Sequence, residues 1–229
     1  MNLLKLTPQE LKQNLKQGKI TVAVYGLGRV GLPLATAWLR AGAKVIGVDI
    51  REEWVNALNS KNFQLIDEPQ LKPILIDYIK NGLFKATTDG VKASKQSNVK
   101  LITVPTLITP KGEADLSALK TALTAIAKGL KEGDLVIIES SVPPKTTEEI
   151  AKPILEEISG LKAEEQFGLA FSPERIMVGK ALQDIEENYP KIIGGVGPKS
   201  AKAVAALYEC IARKGVIVLS SATAAELAK

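Results

Sequence analysis

The sequence of 229 residues contains no histidine, and this absence excludes several kinds of active site at once. Without an imidazole, neither a Ser-His-Asp triad nor a Cys-His pair can form, and the commonest zinc ligand is missing as well. Acid–base chemistry on this chain has to use lysine, a carboxylate or water. We therefore predict no metal site and no histidine-dependent nucleophile.

Cysteine and long apolar runs are also scarce. The single cysteine, Cys210, cannot form an internal disulfide, which agrees with a reducing compartment. Residues 205–211 have a helical pattern, so we expect Cys210 to be a buried structural thiol and not a nucleophile. No apolar run approaches the roughly 18 residues of a membrane span, and the N-terminus lacks the apolar core of a signal peptide. These features predict a cytoplasmic protein without a membrane partner.

The charge pattern bears on possible partners. The net charge is +5, from 30 Lys and Arg against 25 Asp and Glu, and no five basic residues stand in a row. Four Phe and two Trp leave few rings on which bases could stack. We predict no nucleic-acid partner, because this modest, scattered excess suits an anionic small molecule at least as well.

Residues 20–49 carry the most informative pattern in the chain. An apolar run over 20–25 leads into Gly26-Leu27-Gly28-Arg29-Val30-Gly31, and a helical pattern then covers 32–41. A second apolar run over 44–48 ends at Asp49. This succession of strand, glycine turn, helix, strand and acid is typical of a dinucleotide-binding unit.

Each part of this unit has a physical role in holding a dinucleotide. Gly26 permits the tight turn, Gly28 lets the backbone approach a pyrophosphate, and Gly31 lets the helix pack closely on the strand. Free N–H groups at the helix start face the phosphates. Asp49 can accept hydrogen bonds from the ribose hydroxyls, and its charge disfavours the 2′-phosphate of NADP, so NAD is predicted. Arg51 weakens that preference, since an arginine there can pair with a phosphate.

Eight short apolar runs alternate with helical patterns, which favours βαβ units and a mostly parallel sheet. Strands are predicted at 20–25, 44–48, 84–86, 99–104, 135–139, 167–171, 191–193 and 216–219. Helices are predicted at 3–16, 32–41, 52–59, 71–81, 90–96, 116–130, 146–158 and 199–213. The predicted fold is α/β, a Rossmann-type doubly wound sheet of about eight strands with a short N-terminal helix. Residues 1–18 are predicted to form a helical extension and residues 19–229 the dinucleotide-binding domain.

Polar residues next to proline follow three of the predicted strands. The segments are Val104-Pro105-Thr106, Glu139-Ser140-Ser141-Val142-Pro143-Pro144 and Phe171-Ser172-Pro173-Glu174-Arg175. Any one of them is ordinary at a turn. Ligands bind beyond the C-terminal ends of the strands in such sheets, so three of these segments at one edge predict a site there.

Together these segments resemble the UDP-sugar dehydrogenase family, the enzymes related to UDP-glucose 6-dehydrogenase. The resemblance covers nearly all of the chain after residue 19, and it includes residues 191–195 and 220–229. Ser-Val-Pro-Pro and Ser-Pro-Glu-Arg are far more specific than the glycine loop. The family oxidises the primary alcohol of a nucleotide sugar twice, to a carboxylate, with two NAD. The resemblance thus implies an oxidoreductase of nucleotide-sugar metabolism and polysaccharide biosynthesis.

The resemblance also implies roles for particular residues. Ser141, Glu174 and Lys229 would be catalytic. Ser141 would orient a water, Glu174 would lie between cofactor and substrate, and Lys229 would stabilise the developing oxyanion. Arg175 and Lys229 would bind the substrate. The cofactor contacts would come from Gly26, Gly28, Arg29, Val30, Gly31, Asp49, Arg51, Val104, Pro105, Thr106, Ser141 and Glu174.

Two departures from the family pattern refine this reading. The UDP-glucose branch has a second carboxylate four residues after Glu174, where this chain has Val178. Together with Gly179-Lys180 and the later Ile-Ile-Gly-Gly, this favours UDP-N-acetylmannosamine or UDP-N-acetylglucosamine over UDP-glucose. The asparagine of the family's Lys-x-x-x-Asn motif would follow Lys229, and the catalytic cysteine lies further on, in a C-terminal domain that we expect this chain to lack.

The resemblance therefore implies a chain that binds NAD and is inactive alone. The family dimerises through a long helix that would start near Ala224, so the full-length protein would be a homodimer and this chain a monomer or weak dimer. The alternatives left open are a UDP-glucose 6-dehydrogenase, a non-catalytic NAD-sensing module, and a hydroxyacid or 6-phosphogluconate type of dehydrogenase. Enzymes of that last type lack Ser-Val-Pro-Pro followed by Ser-Pro-Glu-Arg.

Overall fold

The structure, a computed structural model, describes residues 1–229. The strands are β1 (Thr21–Tyr25), β2 (Lys44–Val48), β3 (Phe84–Thr87), β4 (Val99–Ile102), β5 (Leu107–Ile108), β6 (Ala114–Asp115), β7 (Leu135–Ile138), β8 (Gly168–Phe171), β9 (Lys191–Gly195) and β10 (Val216–Val218). The helices are α1 (Pro8–Lys16), α2 (Gly31–Arg40), α3 (Glu52–Asn59), α4 (Leu71–Lys80), α5 (Gly90–Gln96), α6 (Ser117–Ala127), α7 (Lys152–Ser159), α8 (Ala181–Gln183), α9 (Pro198–Tyr208) and α10 (Ala222–Leu227). A 3₁₀ turn covers Leu3–Lys5, and π-helical turns cover Thr146–Ala151 and Asp184–Asn188.

Eight strands form one sheet in the order β10-β9-β8-β7-β4-β1-β2-β3. Every pairing from β3 to β8 is parallel, β9 runs antiparallel to β8, and β10 is parallel to β9. The chain leaves β1 towards β3 and then returns to the other side of β1 at β4, so the strand order reverses between β1 and β4. The prediction of a doubly wound, mostly parallel sheet of about eight strands is confirmed.

Side chains of the central strands alternate between two hydrophobic cores, one on each face of the sheet. In β1, Val22 and Val24 belong to the larger core, whereas Ala23 and Tyr25 belong to the smaller one. The larger core is covered by α1, α2, α3, α4 and α9. The smaller core is covered by α5, α6, α7 and α10. Because both faces are covered, the central strands are almost entirely apolar; the buried exception is Lys100 in β4, which pairs with the buried Asp134.

The N-terminal helix is shorter than the predicted range of 3–16. Thr7 lies before Pro8, which forces extended backbone at that point, and α1 begins at Pro8. A capping box closes this end: the Glu10 amide donates to the Thr7 hydroxyl at 3.3 Å, and the Thr7 amide donates to Glu10 Oε2 at 2.8 Å. Leu11 and Leu15 are buried in the larger core, so α1 packs on the same core as the sheet.

Several other predicted boundaries were wrong. The strand predicted over 99–104 ends at Ile102, and the two-stranded hairpin of β5 and β6 was not predicted. The helix predicted over 146–158 begins with a π-helical turn. The helix predicted over 199–213 ends at Tyr208, so Cys210 lies in the following turn and is half-buried, not buried. None of the helices combines the length and the apolar character that crossing a bilayer requires.

Candidate dinucleotide and substrate site

The glycine loop lies at the C-terminal end of β1, beside the point where the strand order reverses. Gly26 has a φ of +98°, and a Cβ there would lie 2.8 Å from the Thr103 carbonyl oxygen. A Cβ on Gly31 would overlap the Gly26 carbonyl oxygen. The Thr103 hydroxyl donates to that same oxygen at 2.8 Å. The turn and the close approach of α2 therefore require glycine at both positions, as predicted.

Gly28 differs from its neighbours, because a Cβ there would meet no protein atom within 4 Å. The packing of the chain does not require a glycine at this position. No side chain caps α2, and the backbone N–H groups of residues 28–31 have no acceptor in the protein. An uncapped helix start with open space beside it is suited to an anion, because its free donors and its dipole both favour negative charge. The loop thus fits the pyrophosphate of a dinucleotide.

Asp49 follows β2, and its buried carboxylate faces the glycine loop. Asp49 Oδ2 accepts from the Leu27 amide at 3.1 Å, and Oδ1 accepts from the Arg51 amide at 3.0 Å. The Arg51 guanidinium donates two further hydrogen bonds to this carboxylate, from Nε to Oδ1 and from Nη2 to Oδ2, both at 3.0 Å. Burial works to raise the pKa of Asp49, but the hydrogen bonds from Arg51 and Leu27 outweigh it and hold the pKa below its ordinary value. The carboxylate is therefore ionised near neutral pH, as an acceptor for ribose hydroxyls has to be.

A groove of about 250 Å³ opens between the glycine loop and residues 64–68. Arg29 lines this groove, and its Nε donates to Asp67 Oδ2 at 2.7 Å. Glu68, which is buried, accepts from the Ala181 amide at 2.9 Å and from Gln70 Nε2. Residues 62–69 had no predicted role beyond a loop. Residues 64–68 form one wall of the groove, and Glu68 connects it to the start of α8.

The predicted cofactor residues after β4 are tied to the segment after β7. The Ser140 hydroxyl donates to the Val104 carbonyl at 2.7 Å. Thr106 Oγ1 is buried without any hydrogen-bond partner, whereas Pro105 is exposed. A buried hydroxyl without a partner costs free energy unless a ligand or a water satisfies it. Thr106 therefore has unused hydrogen-bonding capacity at the edge where the cofactor is predicted.

The structure brings Glu174 and Lys229 together, although 55 positions separate them in the sequence. Lys229 Nζ lies 3.5 Å from Glu174 Oε2, and Glu174 Oε1 accepts from the Ile176 amide. Ser141 is exposed and makes no hydrogen bond with either residue. Arg175 contacts other residues: its Nη2 donates to the Pro190 carbonyl, and its Cζ lies 5.6 Å from the centre of the Tyr189 ring.

Glu226, which had no predicted role, connects Lys229 to the segment that contains Ser141. Its carboxylate accepts from the Lys145 amide at 2.5 Å, from the Thr147 amide at 2.8 Å and from the Thr147 hydroxyl at 2.6 Å. These donors stand at the start of the π-helical turn that follows Ser-Val-Pro-Pro. Glu226 lies on α10, three residues before Lys229. One buried carboxylate thus anchors both segments.

A second unpredicted group is the buried ion pair between Glu139 and Lys191. Lys191 Nζ lies 2.5 Å from Glu139 Oε2, and the Tyr208 hydroxyl donates to Glu139 Oε1. Burial, together with the nearby charge of Glu139, raises the pKa of Tyr208 well above its ordinary value. The Tyr208 ring packs edge-to-face on Trp38 with centroids 5.3 Å apart. This cluster joins β7, β9, α9 and α2 beneath the site.

The switch point, the open glycine, the uncapped helix and the buried acid after β2 define a dinucleotide-binding domain of the Rossmann type. A sequence model described as the UDP-glucose/GDP-mannose dehydrogenase family, NAD binding domain, matches residues 20–212. The chain belongs to this family, and the matched residues form its NAD binding domain.

Several of the curated proteins similar to this chain have names that refer to N-acetylated sugars. The UDP-N-acetyl-D-mannosamine dehydrogenase of Pyrococcus horikoshii is 40% identical over 91% of this chain and 48% of that protein. An NDP-N-acetyl-D-galactosaminuronic acid dehydrogenase of Ralstonia solanacearum is 35% identical over 91% of this chain and 49% of that protein. The solved structure of the P. horikoshii enzyme superposes with a TM-score of 0.85, at 38% identity over 92% of this chain and 49% of that one. The chain spans about half the length of the curated relatives that it matches.

Proposed function

We propose that this chain holds NAD for a dehydrogenase that oxidises the primary alcohol of a UDP-N-acetylhexosamine to the carboxylate. The observation that carries the proposal is the uncapped start of α2 beside Gly28, with the Asp49 carboxylate at the end of the neighbouring strand. When bound, NAD supplies the acceptor for a hydride removed from the sugar alcohol. The donors of residues 28–31 would hold the pyrophosphate, and Asp49 would hold the adenosine ribose.

The choice of an N-acetylated sugar over glucose is supported by the relatives and by one position. Both curated relatives described above are named for N-acetylated sugars. Val178 is exposed and apolar where the UDP-glucose branch is expected to have a carboxylate. An aliphatic side chain cannot accept a hydrogen bond from a sugar hydroxyl.

Roles for Ser141, Glu174, Arg175 and Lys229 in handling the substrate are part of the same proposal. The pairing of Glu174 with Lys229 supports placing an acid and a fixed positive charge side by side at the sheet edge. A positive charge fixed near the reacting oxygen is what an oxyanion-stabilising group has to supply.

The chain by itself would hold the cofactor without completing the two-step oxidation. Its one thiol belongs to Cys210, whose charged neighbours are Lys12, Lys16 and Glu209, and burial raises its pKa. A thiol of raised pKa is a poor nucleophile, so nothing supports Cys210 as the group that traps an aldehyde. A cytoplasmic location, and a homodimer for the full-length protein with a monomer or weak dimer for this chain, remain predictions.

Calorimetric titration with NAD tests the binding claim directly. We expect saturable binding to the wild-type chain and at least tenfold weaker binding to Asp49→Ala, because the ribose hydroxyls lose a charged acceptor worth about 1.5–3 kcal/mol. Glu132→Ala is the matched control, since Glu132 is exposed and precedes β7, which places it at the opposite edge of the parallel sheet from the loop after β1, and it should bind as the wild type does. An absence of heat at millimolar NAD would contradict the proposal.

The substrate assignment needs a separate experiment on the native protein that contains these residues. We expect NAD reduction with UDP-N-acetylmannosamine or UDP-N-acetylglucosamine and none with UDP-glucose. Turnover of UDP-glucose alone would overturn the assignment and leave the NAD-binding claim intact.

A further inference from the structure

The side chain of Arg51 covers the carboxylate that we expect to hold the adenosine ribose. We propose that Arg51 occupies the ribose position of Asp49 in the free protein, is displaced when NAD binds, and thereby sets the choice between NAD and NADP. This inference rests on the proposed NAD binding. It assigns to Arg51 a function beyond simple contact with the cofactor.

Asp49 has no hydrogen-bonding capacity left in the free protein. A carboxylate offers about four lone-pair positions, and Asp49 accepts four hydrogen bonds. Two come from the amides of Leu27 and Arg51, which the backbone turns hold in place. The other two come from the Arg51 guanidinium. Two ribose hydroxyls can therefore reach this carboxylate only if the guanidinium leaves.

The structure allows Arg51 to leave without disturbing its surroundings. Its side chain is 60% exposed, whereas that of Asp49 is 7% exposed. The other contact of the guanidinium is with the Trp54 ring, at 5.7 Å from the centroid. Trp54 is fixed independently, because its Nε1 donates to the Leu27 carbonyl at 2.9 Å. A rotation of Arg51 away from Asp49 thus breaks one partly exposed ion pair and leaves the turn intact.

A displaced Arg51 remains a positive charge beside the ribose. The 2′-phosphate of NADP would otherwise meet only the negative Asp49, which is unfavourable. With Arg51 present, the same phosphate has a cationic partner. Arg51 therefore acts in opposite directions on the two cofactors: it competes with the ribose of NAD and assists the phosphate of NADP.

The test is calorimetric titration of NAD and NADP into the wild type and Arg51→Met, which keeps the length of the side chain and removes the charge. We expect NAD to bind about two- to fivefold more tightly, the range expected from releasing one partly exposed ion pair. NADP should bind more weakly by at least the same factor. A general loosening of the site would weaken both cofactors, so shifts in opposite directions are the signature of the proposed role.

A double-mutant cycle with Asp49→Ala shows whether Arg51 acts through Asp49. In the Asp49→Ala background, Arg51→Met should leave NAD affinity unchanged. If the single variant Arg51→Met binds NAD as tightly as the wild type or more weakly, this inference is wrong. The proposed function would still stand in that case, because the wild-type chain binds NAD. A wild-type chain that binds no NAD would reject the proposed function, and this inference would fail with it.

Discussion

Gly28 and Gly31 stand three residues apart in one loop, yet only Gly31 is required by the packing of the chain. A Cβ on Gly31 would overlap backbone of the loop, whereas a Cβ on Gly28 would meet no protein atom. We expect Gly31→Ala to destabilise the fold by several kcal/mol through overpacking. Gly28→Ala should leave the stability unchanged or raise it by about 0.4–1 kcal/mol, while weakening NAD binding at least tenfold.

Urea denaturation and NAD titration on the two glycine variants separate these effects. Ala35→Gly, a change inside α2, serves as a control for loss of stability without a change at the binding surface. Equal stability losses for Gly28→Ala and Gly31→Ala would show that Gly28 has a packing role, against the geometry.

Asp49 links the site to stability through pH. Its pKa lies below the ordinary value because of Arg51 and Leu27, so the fold stabilises the ionised form. That contribution is complete above the unfolded pKa of about 3.9 and is lost as the pH falls through the depressed folded pKa. Asp49→Asn should therefore cost about 1 kcal/mol at pH 7, and the difference from wild type should shrink below about pH 4. Urea denaturation of the wild type and Asp49→Asn over this pH range measures the stability difference. A stability difference that grew as the pH fell would contradict the prediction.

At the scale of secondary-structure elements, the sequence is informative where the signal is local. The glycine loop, the acid after β2 and the apolar runs lie within about 30 consecutive residues of one βαβ unit, and their spacing alone predicts the cofactor half of the site. The contacts of Glu226 with Thr147 and of Glu68 with Ala181 join residues 79 and 113 positions apart. No periodicity connects such distant residues, so these contacts could not be predicted from one sequence.

Glu226 determines how α10 is attached to the segment after Ser-Val-Pro-Pro. Removing its carboxylate in Glu226→Ala would leave the Lys145 and Thr147 amides without an acceptor at a buried helix start. We expect a loss of about 2–3 kcal/mol and faster hydrogen exchange at the Thr147 amide. Glu226→Gln keeps one acceptor oxygen and should lose less. Unchanged exchange at Thr147 in Glu226→Ala would show that α10 is held by packing alone.

At the scale of the whole molecule, the antiparallel strand β9 marks a change of architecture. Up to β8 the strands of the eight-stranded sheet follow the parallel plan that alternating strands and helices predict. Beyond it, β9 reverses direction and β10 pairs only with β9. The sequence predicted the strand at 191–193 but not its reversed direction, because a short apolar run has no orientation. Lys191, at the start of β9, makes the buried ion pair with Glu139 that connects this part to the parallel sheet.

The Glu139–Lys191 pair should therefore be a polar contact on which the stability of the fold depends strongly. Lys191→Met would leave Glu139 as an uncompensated buried charge, at an expected cost of about 3–5 kcal/mol. Lys145→Met is the control, because its ion pair with Glu149 is more than 60% exposed at both side chains and should cost under about 0.5 kcal/mol.

The double variant Glu139→Leu/Lys191→Met separates the charge from the packing. It removes both charges and should recover most of the loss seen in Lys191→Met, because the desolvation cost of the lone carboxylate disappears with it. Urea denaturation at pH 7 measures all three variants, and the double variant keeps the test possible if Lys191→Met does not fold. A double variant no more stable than Lys191→Met would mean that β9 is held by the shape of the lysine stem and the Tyr208 ring, and that the ion pair contributes little.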